Sequence, residues 1–412
     1  MKQFDIIIIG SGISGLYAAY KIKKYNPNIS FLILEKNKNI GGRMGNYDFY
    51  GQSVVTGAGI GRKEKDKTLL GLLDELHIKT HEFIVQKQYG KSIKNPVNIM
   101  NIIHELRSEY HKYKIAPNTT FKEFGIKHLG KKIYNNFLEC AGFRDFENAD
   151  IYETLYKYGF DDNTPNWIGV GIPWNELLEK LVAYIGKEHI LTNENIVKIN
   201  KNDTDNDNTI IIKTEIGREF SSKKLIIATR SDTVQKLLKH MCDKNIYKNI
   251  QGQTFLRLYG KFSGKSLELM KNVVPVQTNV SNHLQKILPI NKEKGIYMIT
   301  YSDNKCAKSF KNRLENNKEN RIFWCKELEK ALFLPNNSLK LDGIKAFYWP
   351  IGTHYYKPLP NIYKNRKEFI DKAQHPTDGI VVVGEMISRD QGWTEGALKS
   401  VNLAITEKFM CL

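Results

Sequence analysis

Four short apolar runs divide the chain: Phe4–Ile9, Ser30–Leu34, Leu225–Thr229 and Ile380–Val383. Runs of this length with no polar alternation predict parallel strands buried on both faces. After the first run, Ile13, Leu16, Ala19 and Ile22 fall at helical spacing, so the opening reads strand, turn, helix, strand. Alternating patterns elsewhere predict half-buried strands. Asn195–Asn200 and Thr209–Thr214 form a hairpin across the polar tract NKNDTDNDN, and Thr254–Ser263, Gly295–Ser302 and Lys345–Tyr348 alternate likewise. Helices are predicted at Leu69–Leu76, over most of Asn98–Tyr158, from about Asn175 to Ile185, and from Thr394 into the C-terminal tail. Pro165–Trp174 reads as a Gly/Pro-punctuated loop.

The buried-strand and glycine signals collect in residues 1–75, 191–235 and 370–412. These predict one discontinuous nucleotide-binding domain, with residues 76–190 and 236–369 inserted as a second, substrate-binding domain. A chain of 412 residues can bury two cores, and 41% hydrophobic with 26% charged residues describes a soluble globular protein. No apolar run is long enough to span a bilayer, and the N-terminus carries no secretory signal. Five scattered cysteines without CxxC spacing argue against a disulfide framework or a zinc site. Together these features point to a reducing, cytoplasmic setting. The lysine-, asparagine- and isoleucine-rich composition would suit an AT-rich genome; a viral source would place the chain in host cytoplasm or a virion.

The formal charge of +18 has two readings. It suits an acidic partner or an anionic surface, but the lysines are spread out and no nucleic-acid or membrane module accompanies them. Compositional bias is the better account. An acidic partner and a homodimer both stay open.

Gly10-Ser11-Gly12-Ile13-Ser14-Gly15 fits GxGxxG between a strand and a helix. Gly10 permits the tight turn, Gly12 the approach of a pyrophosphate, and Gly15 close helix–strand packing. The helix N-terminus, including Ser14, offers N–H donors to phosphate. Glu35 and Lys36 lie about twenty residues on, at the end of the next strand, where a carboxylate can accept from an adenosine ribose. The loop Ile40-Gly41-Gly42-Arg43-Met44 then returns toward the pyrophosphate, with Arg43 as a fork-shaped cation.

With GSGISG, Glu35, GGRM and the C-terminal GE…GWTEGA together, the chain resembles the flavin-containing amine oxidases, a group that includes monoamine, polyamine and L-amino acid oxidases. The resemblance is specific at the two chain ends and in ENIVKI…LIIAT, and weak across roughly residues 75–190 and 235–340. It implies an α/β fold: a Rossmann-like FAD-binding domain of the glutathione-reductase-like doubly wound type, with an inserted α+β substrate domain. It further implies that Val197 holds adenine through its backbone, and that Gly384 and Glu385 meet the pyrophosphate–ribityl region. Gly59 and Ile60, within TGAGIGR, would approach the isoalloxazine ring. Trp393 and Thr394 would lie at its pyrimidine edge, where a helix N-terminus stabilises negative charge on reduced flavin.

On the substrate side the resemblance pairs Tyr355 and Trp393 as walls of an aromatic cage, against a plain packing role for either. The segment Tyr348–Tyr356 has no cysteine, so noncovalent FAD is expected, with His354 a remote alternative for covalent linkage. The implied reaction is hydride transfer from an amine-bearing carbon to flavin N5, with reoxidation by O2 to hydrogen peroxide and hydrolysis of the imine. Where the family commonly has lysine near N5, this chain has Arg257, which keeps the charge but cannot act as a neutral amine. That departure keeps a second class open, a desaturase or mutase of the same fold. A flavin-binding interaction protein is a third. Arg62 corresponds to the carboxylate-binding arginine of L-amino acid oxidases, yet it is followed by a charged run, so amines and amino acids stay level as substrates.

Overall fold

The computed structural model describes residues 2–164, 166–202, 209–241 and 245–411. Pro165, most of the polar tract between the hairpin strands (203–208) and Cys242 lie outside the described residues.

The strand Lys2–Ile9 lies at the heart of a sheet of seven strands among the described residues. It runs parallel to Phe31–Leu34 on one side and to Glu219–Ile227 on the other. Its continuous apolar run serves both faces. Ile6 and Ile8 pack under the helices Ile13–Tyr25, Trp174–Ile185 and Thr394–Ala404, while Ile7 and Ile9 face Ile210, Ile212 and Phe369. Ile190–Leu191 extends the sheet beyond Phe31–Leu34.

The strand Glu219–Ile227 is shared. Its first half pairs antiparallel with Ile210–Thr214, and its second half pairs parallel with Ile380–Val382, Leu225 opposite Ile380. This brings the two chain ends together. The turns after Ile9, Leu34 and Val382 all emerge at the carboxyl edge of the parallel strands, where ligands of open α/β sheets bind.

A second sheet runs Gly343–Tyr356, Ile250–Lys261, Ile296–Asp303, Lys286–Asn291, Gln277–Asn279 and Lys87–Tyr89, antiparallel except for the last pair. The helices Gly264–Val273 and Lys318–Leu332 cover its back around buried Trp324. Three helices, Ile99–His111, Phe121–Ala141 and Ile151–Lys157, pack around Phe121, Phe137, Phe146 and Phe160. No helix among the described residues is long and apolar enough to cross a membrane.

Three features differ from the sequence reading. The helix Trp174–Ile185 packs into the first core through Leu177, Leu181 and Ile185, so the segment 76–190 is not wholly in the second unit. Its hydrophobic stripe fits the face offered by Ile6 and Ile8. Within Pro165–Trp174, Trp167–Gly171 is a strand pairing with Gly61–Arg62 and His81–Val85. Its glycines concealed it: a Cβ at Gly171 would lie 2.0 Å from the His81 ring, and one at Gly169 2.9 Å from that of Phe83. The strand expected at Lys345–Tyr348 runs on through Pro350 to Tyr356, tolerated because the pairing shifts register between Gln253 and Phe255.

Candidate active site

Between the two sheets lies a cavity of about 1180 Å³, reached by both chain ends. The first strand delivers its glycine turn to this cavity. Gly10 sits at φ +102°, and a Cβ there would lie 2.6 Å from the Ala228 carbonyl oxygen; one at Gly15 would lie 2.0 Å from that of Gly10. Both glycines are fixed by backbone packing. Gly12 differs: a Cβ there would meet nothing within 4 Å. It faces open cavity, beside a helix N-terminus whose N–H groups have no side-chain cap. The Gly41-Gly42 loop closes against it, with the Gly41 N–H donating to the Ser11 carbonyl at 2.9 Å. Ser14 and Arg43 line the same wall.

Glu35 stands at the cavity, buried. One carboxylate oxygen accepts from the Ser11 N–H and hydroxyl, the other from the Asn37 N–H and side-chain amide, all at 2.9 Å. A ribose hydroxyl would take over one of the side-chain bonds. Lys36 lines the wall beside it. Val197 falls at a register shift between Ile196 and Lys198. Its neighbours Glu194, Asn195 and Ile196 line the cavity.

Arg43 and Glu385, from opposite ends of the chain, pair with each other at 3.2 Å, and Arg43 also donates to the Gly352 carbonyl. Glu385 accepts further bonds from the His354 N–H at 2.7 Å, the His354 imidazole at 2.9 Å and the Gly392 N–H at 3.2 Å. Burial pushes the Glu385 carboxyl up, but the His354 imidazole and the Arg43 guanidinium outweigh it and hold the group down at about 2. His354 was not expected in this network. Its Nε2 faces the Ser231 N–H at 3.5 Å, so both ring nitrogens are engaged.

The loop carrying Gly59 and Ile60 is stitched in place. Trp349 donates to the Thr56 carbonyl at 2.8 Å, Trp174 to that of Gly59 at 2.9 Å, and Tyr259 to that of Val55 at 2.7 Å. Opposite, the helix Thr394–Ala404 starts at Trp393 without a side-chain cap and opens on the cavity at Gly392, Trp393 and Thr394. Gly384, at φ +139°, donates its N–H to the Ser400 hydroxyl of that helix at 2.8 Å. Within GWTEGA, Glu395 points elsewhere: it accepts from the Thr68 and Leu69 N–H groups and so caps the helix Lys67–Glu75.

The four residues expected to do chemistry are placed differently. Tyr355 and Trp393 both line the cavity, and burial raises the Tyr355 phenol. Arg62 is buried behind Trp393, its guanidinium carbon 3.7 Å from the ring centroid. It is bound to Asp66 at 2.7 and 3.1 Å and lies 3.7 Å from Asp162. Its charge is already committed. Arg257 lies on the cavity wall, 7% exposed, with a nitrogen 3.0 Å from where a Gly59 Cβ would stand. It donates to the Tyr301 hydroxyl at 3.0 Å and has no ion-pair partner among the described residues.

A flavin dinucleotide fits the residues present. Two uncapped helix N-termini and the open face of Gly12 suit its phosphates and its pyrimidine edge. The Thr229 and Thr353 hydroxyls and one Glu194 oxygen are buried on the wall without a hydrogen-bond partner among the described residues. The volume exceeds the roughly 300–1,000 Å³ of an ordinary ligand pocket. Sequence reasoning missed Tyr301, Phe143, Asp145 and Lys286, which also line the site, as does Trp349 within the segment Tyr348–Tyr356. The first four sit in the segments of weakest resemblance, and no local motif marks them.

Comparison with known proteins places these features in context. The NAD(P)-binding Rossmann-like domain profile matches residues 8–76. The FAD-containing monooxygenase EthA of Mycolicibacterium smegmatis is 44% identical over 41 residues, 10% of this chain and 8% of that protein. An uncharacterized protein of Acanthamoeba polyphaga mimivirus is 32% identical over 57 residues, 14% of this chain and 11% of that one. These matches therefore span only about a tenth of either relative. Solved structures agree over far more of the chain. A putrescine oxidase double mutant with redesigned cofactor binding superposes with TM-score 0.76 at 14% identity, covering 98% of both chains. The wild-type enzyme bound to putrescine gives 0.75 at 14%, covering 97% of this chain and 98% of that one. From end to end, this chain has the fold of putrescine oxidase.

Proposed function

We propose that the chain binds FAD noncovalently and oxidises the C–N bond of a small amine or amino acid. The observation that carries this reading is the pair of uncapped helix N-termini, at Ile13 and Thr394, opening on one cavity from opposite ends of the chain. Gly10, Gly12, Ser14 and Gly15 would hold the pyrophosphate, with Gly42 and Arg43 closing over it. Glu35 and Lys36 would take the ribose and the main chain of Val197 the adenine. Gly384 sets the approach of the C-terminal helix, and Glu385 orients Arg43 and His354 rather than reaching the cofactor with a free oxygen. Gly59 and Ile60 would flank the ring, and Trp393 and Thr394 its pyrimidine edge. The absence of a cysteine from Tyr348–Tyr356 and the engagement of both His354 nitrogens favour noncovalent attachment.

FAD bound here would supply the hydride acceptor and the two-electron reductant for dioxygen, giving hydrogen peroxide and an imine open to hydrolysis by water. The protein's own part is orientation and charge. Tyr355 and Trp393 would confine the substrate nitrogen. Arg62, stacked on Trp393 and tied to Asp66, would fix that ring instead of binding a carboxylate. Arg257 puts a guanidinium charge beside the Gly59 loop. That guanidinium, in place of a lysine, is also what favours the second reading, a desaturase or mutase of the same fold.

The test is a panel of amines and amino acids, followed by anaerobic flavin bleaching and by peroxide release. Yellow protein that bleaches and releases peroxide supports the oxidase. Bleaching without peroxide moves the assignment to the second reading, and colourless protein ends both.

A further inference from the structure

One wall of the cavity is built as cation, ring, ring, cation. The Lys286 ammonium lies 3.2 Å from the centroid of Phe143. Phe143 meets Tyr301 edge-on at 5.1 Å, and the Arg257 guanidinium lies 4.2 Å from the Tyr301 centroid. All four line the cavity. The other two arginines buried as deeply among the described residues are paired, Arg62 with Asp66 and Arg366 with Asp150 and Glu153. Lys286 and Arg257 are buried on the same wall and have no carboxylate within 4 Å among the described residues.

We propose that Lys286 and Arg257 form an anion-binding wall that selects a substrate carrying a carboxylate beside its amine over a diamine. The assignment rests on the amine-oxidising reading for its chemistry but not for its binding claim. The aromatic faces partly replace the hydration of the two cations. Yet the three ammonium donors of Lys286 and the guanidinium donors not used by Tyr301 stay unfilled by protein. The acids around Lys286 bond elsewhere, except that one buried Asp303 oxygen has no hydrogen-bond partner among the described residues. Asp145 accepts from the Tyr158 hydroxyl at 2.5 Å, Asp303 from the Arg144 N–H at 2.7 Å, and Asp162 lies with Lys65 at 3.2 Å. Burial raises both Asp145 and Asp303 toward their neutral forms. A second ammonium on the substrate would therefore meet the Arg257 guanidinium and, below about 7, the Lys286 ammonium.

Titration supplies the signature. Burial and the nearby Lys87 push the Lys286 ammonium down to about 7, against the opposing pull of Asp145, Asp303 and Asp162. An anion binds its charged form, so affinity is level below about 7 and is lost as pH rises through it.

The experiment is calorimetric binding of benzoate, benzamide and benzylamine to the flavin-loaded protein, independent of turnover. Benzoate should bind better than benzamide, with affinity falling about tenfold per pH unit above about 7. Lys286→Met should weaken benzoate at least about tenfold, leave benzamide unchanged and flatten the pH profile, while Lys286→Arg restores binding without the pH dependence. Lys286→Met removes an unpaired buried cation and should melt no lower than wild type; if it fails to fold, the pH profile of Lys286→Arg decides instead. In turnover, the preference for phenylalanine over phenethylamine should drop at least about tenfold in Lys286→Met. Benzoate binding equal to that of benzamide, or unaffected by Lys286→Met, overturns the proposal, as does preferential turnover of putrescine. Absence of any turnover would defeat the oxidase reading alone, because benzoate binding still decides the wall.

Discussion

Glu385→Gln tests the network that joins the two chain ends. In the folded protein this buried carboxylate binds Arg43, the His354 ring and N–H, and the Gly392 N–H, and titrates at about 2 instead of its ordinary 4.5. A difference of that size is worth about 3 kcal/mol at neutral pH. Because the folded value is depressed, that stability is fully present above 4.5 and lost as pH falls through about 2. Glutamine keeps the shape and one acceptor but turns N–H donors toward Arg43 and His354, so its deficit should be at least about 3 kcal/mol at pH 7. Urea unfolding of both proteins at pH 7 and pH 3 gives the comparison, and the gap should narrow by about 2 kcal/mol at the lower pH. Parallel stabilities across that range, or a deficit below about 1 kcal/mol, would mean that the carboxylate does not hold the ends together.

The glycines separate fold from cofactor. Gly12→Ala should melt like the wild-type apoprotein yet retain FAD at least about tenfold more weakly, whereas Gly15→Ala, whose Cβ falls 2.0 Å from a carbonyl oxygen, should accumulate as insoluble protein. Equal flavin content in Gly12→Ala would contradict the cradle. Arg62→Ala strands buried Asp66 and should cost about 3–5 kcal/mol in chemical denaturation, with Arg62→Lys recovering little because it loses both the fork and the stack on Trp393. A surface-like loss below about 1 kcal/mol would return Arg62 to the role of a free, substrate-facing cation. Arg257→Met removes a buried cation that has no counter-ion. Its melting point should not fall, while flavin reduction in stopped-flow should slow by about tenfold or more.

The amino-acid sequence determined the local physics of the nucleotide side. An unbroken run at Ile6–Ile9 can only be a strand covered on both faces, GSGISG after it can only turn and open a helix, and Glu35 must then fall at the next strand's end. The two-ended character of the site was equally legible, because Ile380–Val383 repeats the buried-strand pattern next to GE and GWTEGA. Charge pairing was not. Arg43 carries the same residue chemistry in sequence as Arg257, yet folding brings Glu385 to the first and leaves the second without a carboxylate, and Arg62, with Asp66 four residues on in a run of mixed charge, gave no sign of which acid it would take. His354 became a ligand of Glu385 and Glu395 a helix cap for the same reason, since each partner is remote in sequence or on another element. Lys286 shows the limit most plainly. Its strand has no motif, and only the register of the second sheet sets its ammonium over Phe143, in line with Tyr301 and Arg257. Periodicity and glycine are written residue by residue; which charges remain unpaired is a property of the packed whole.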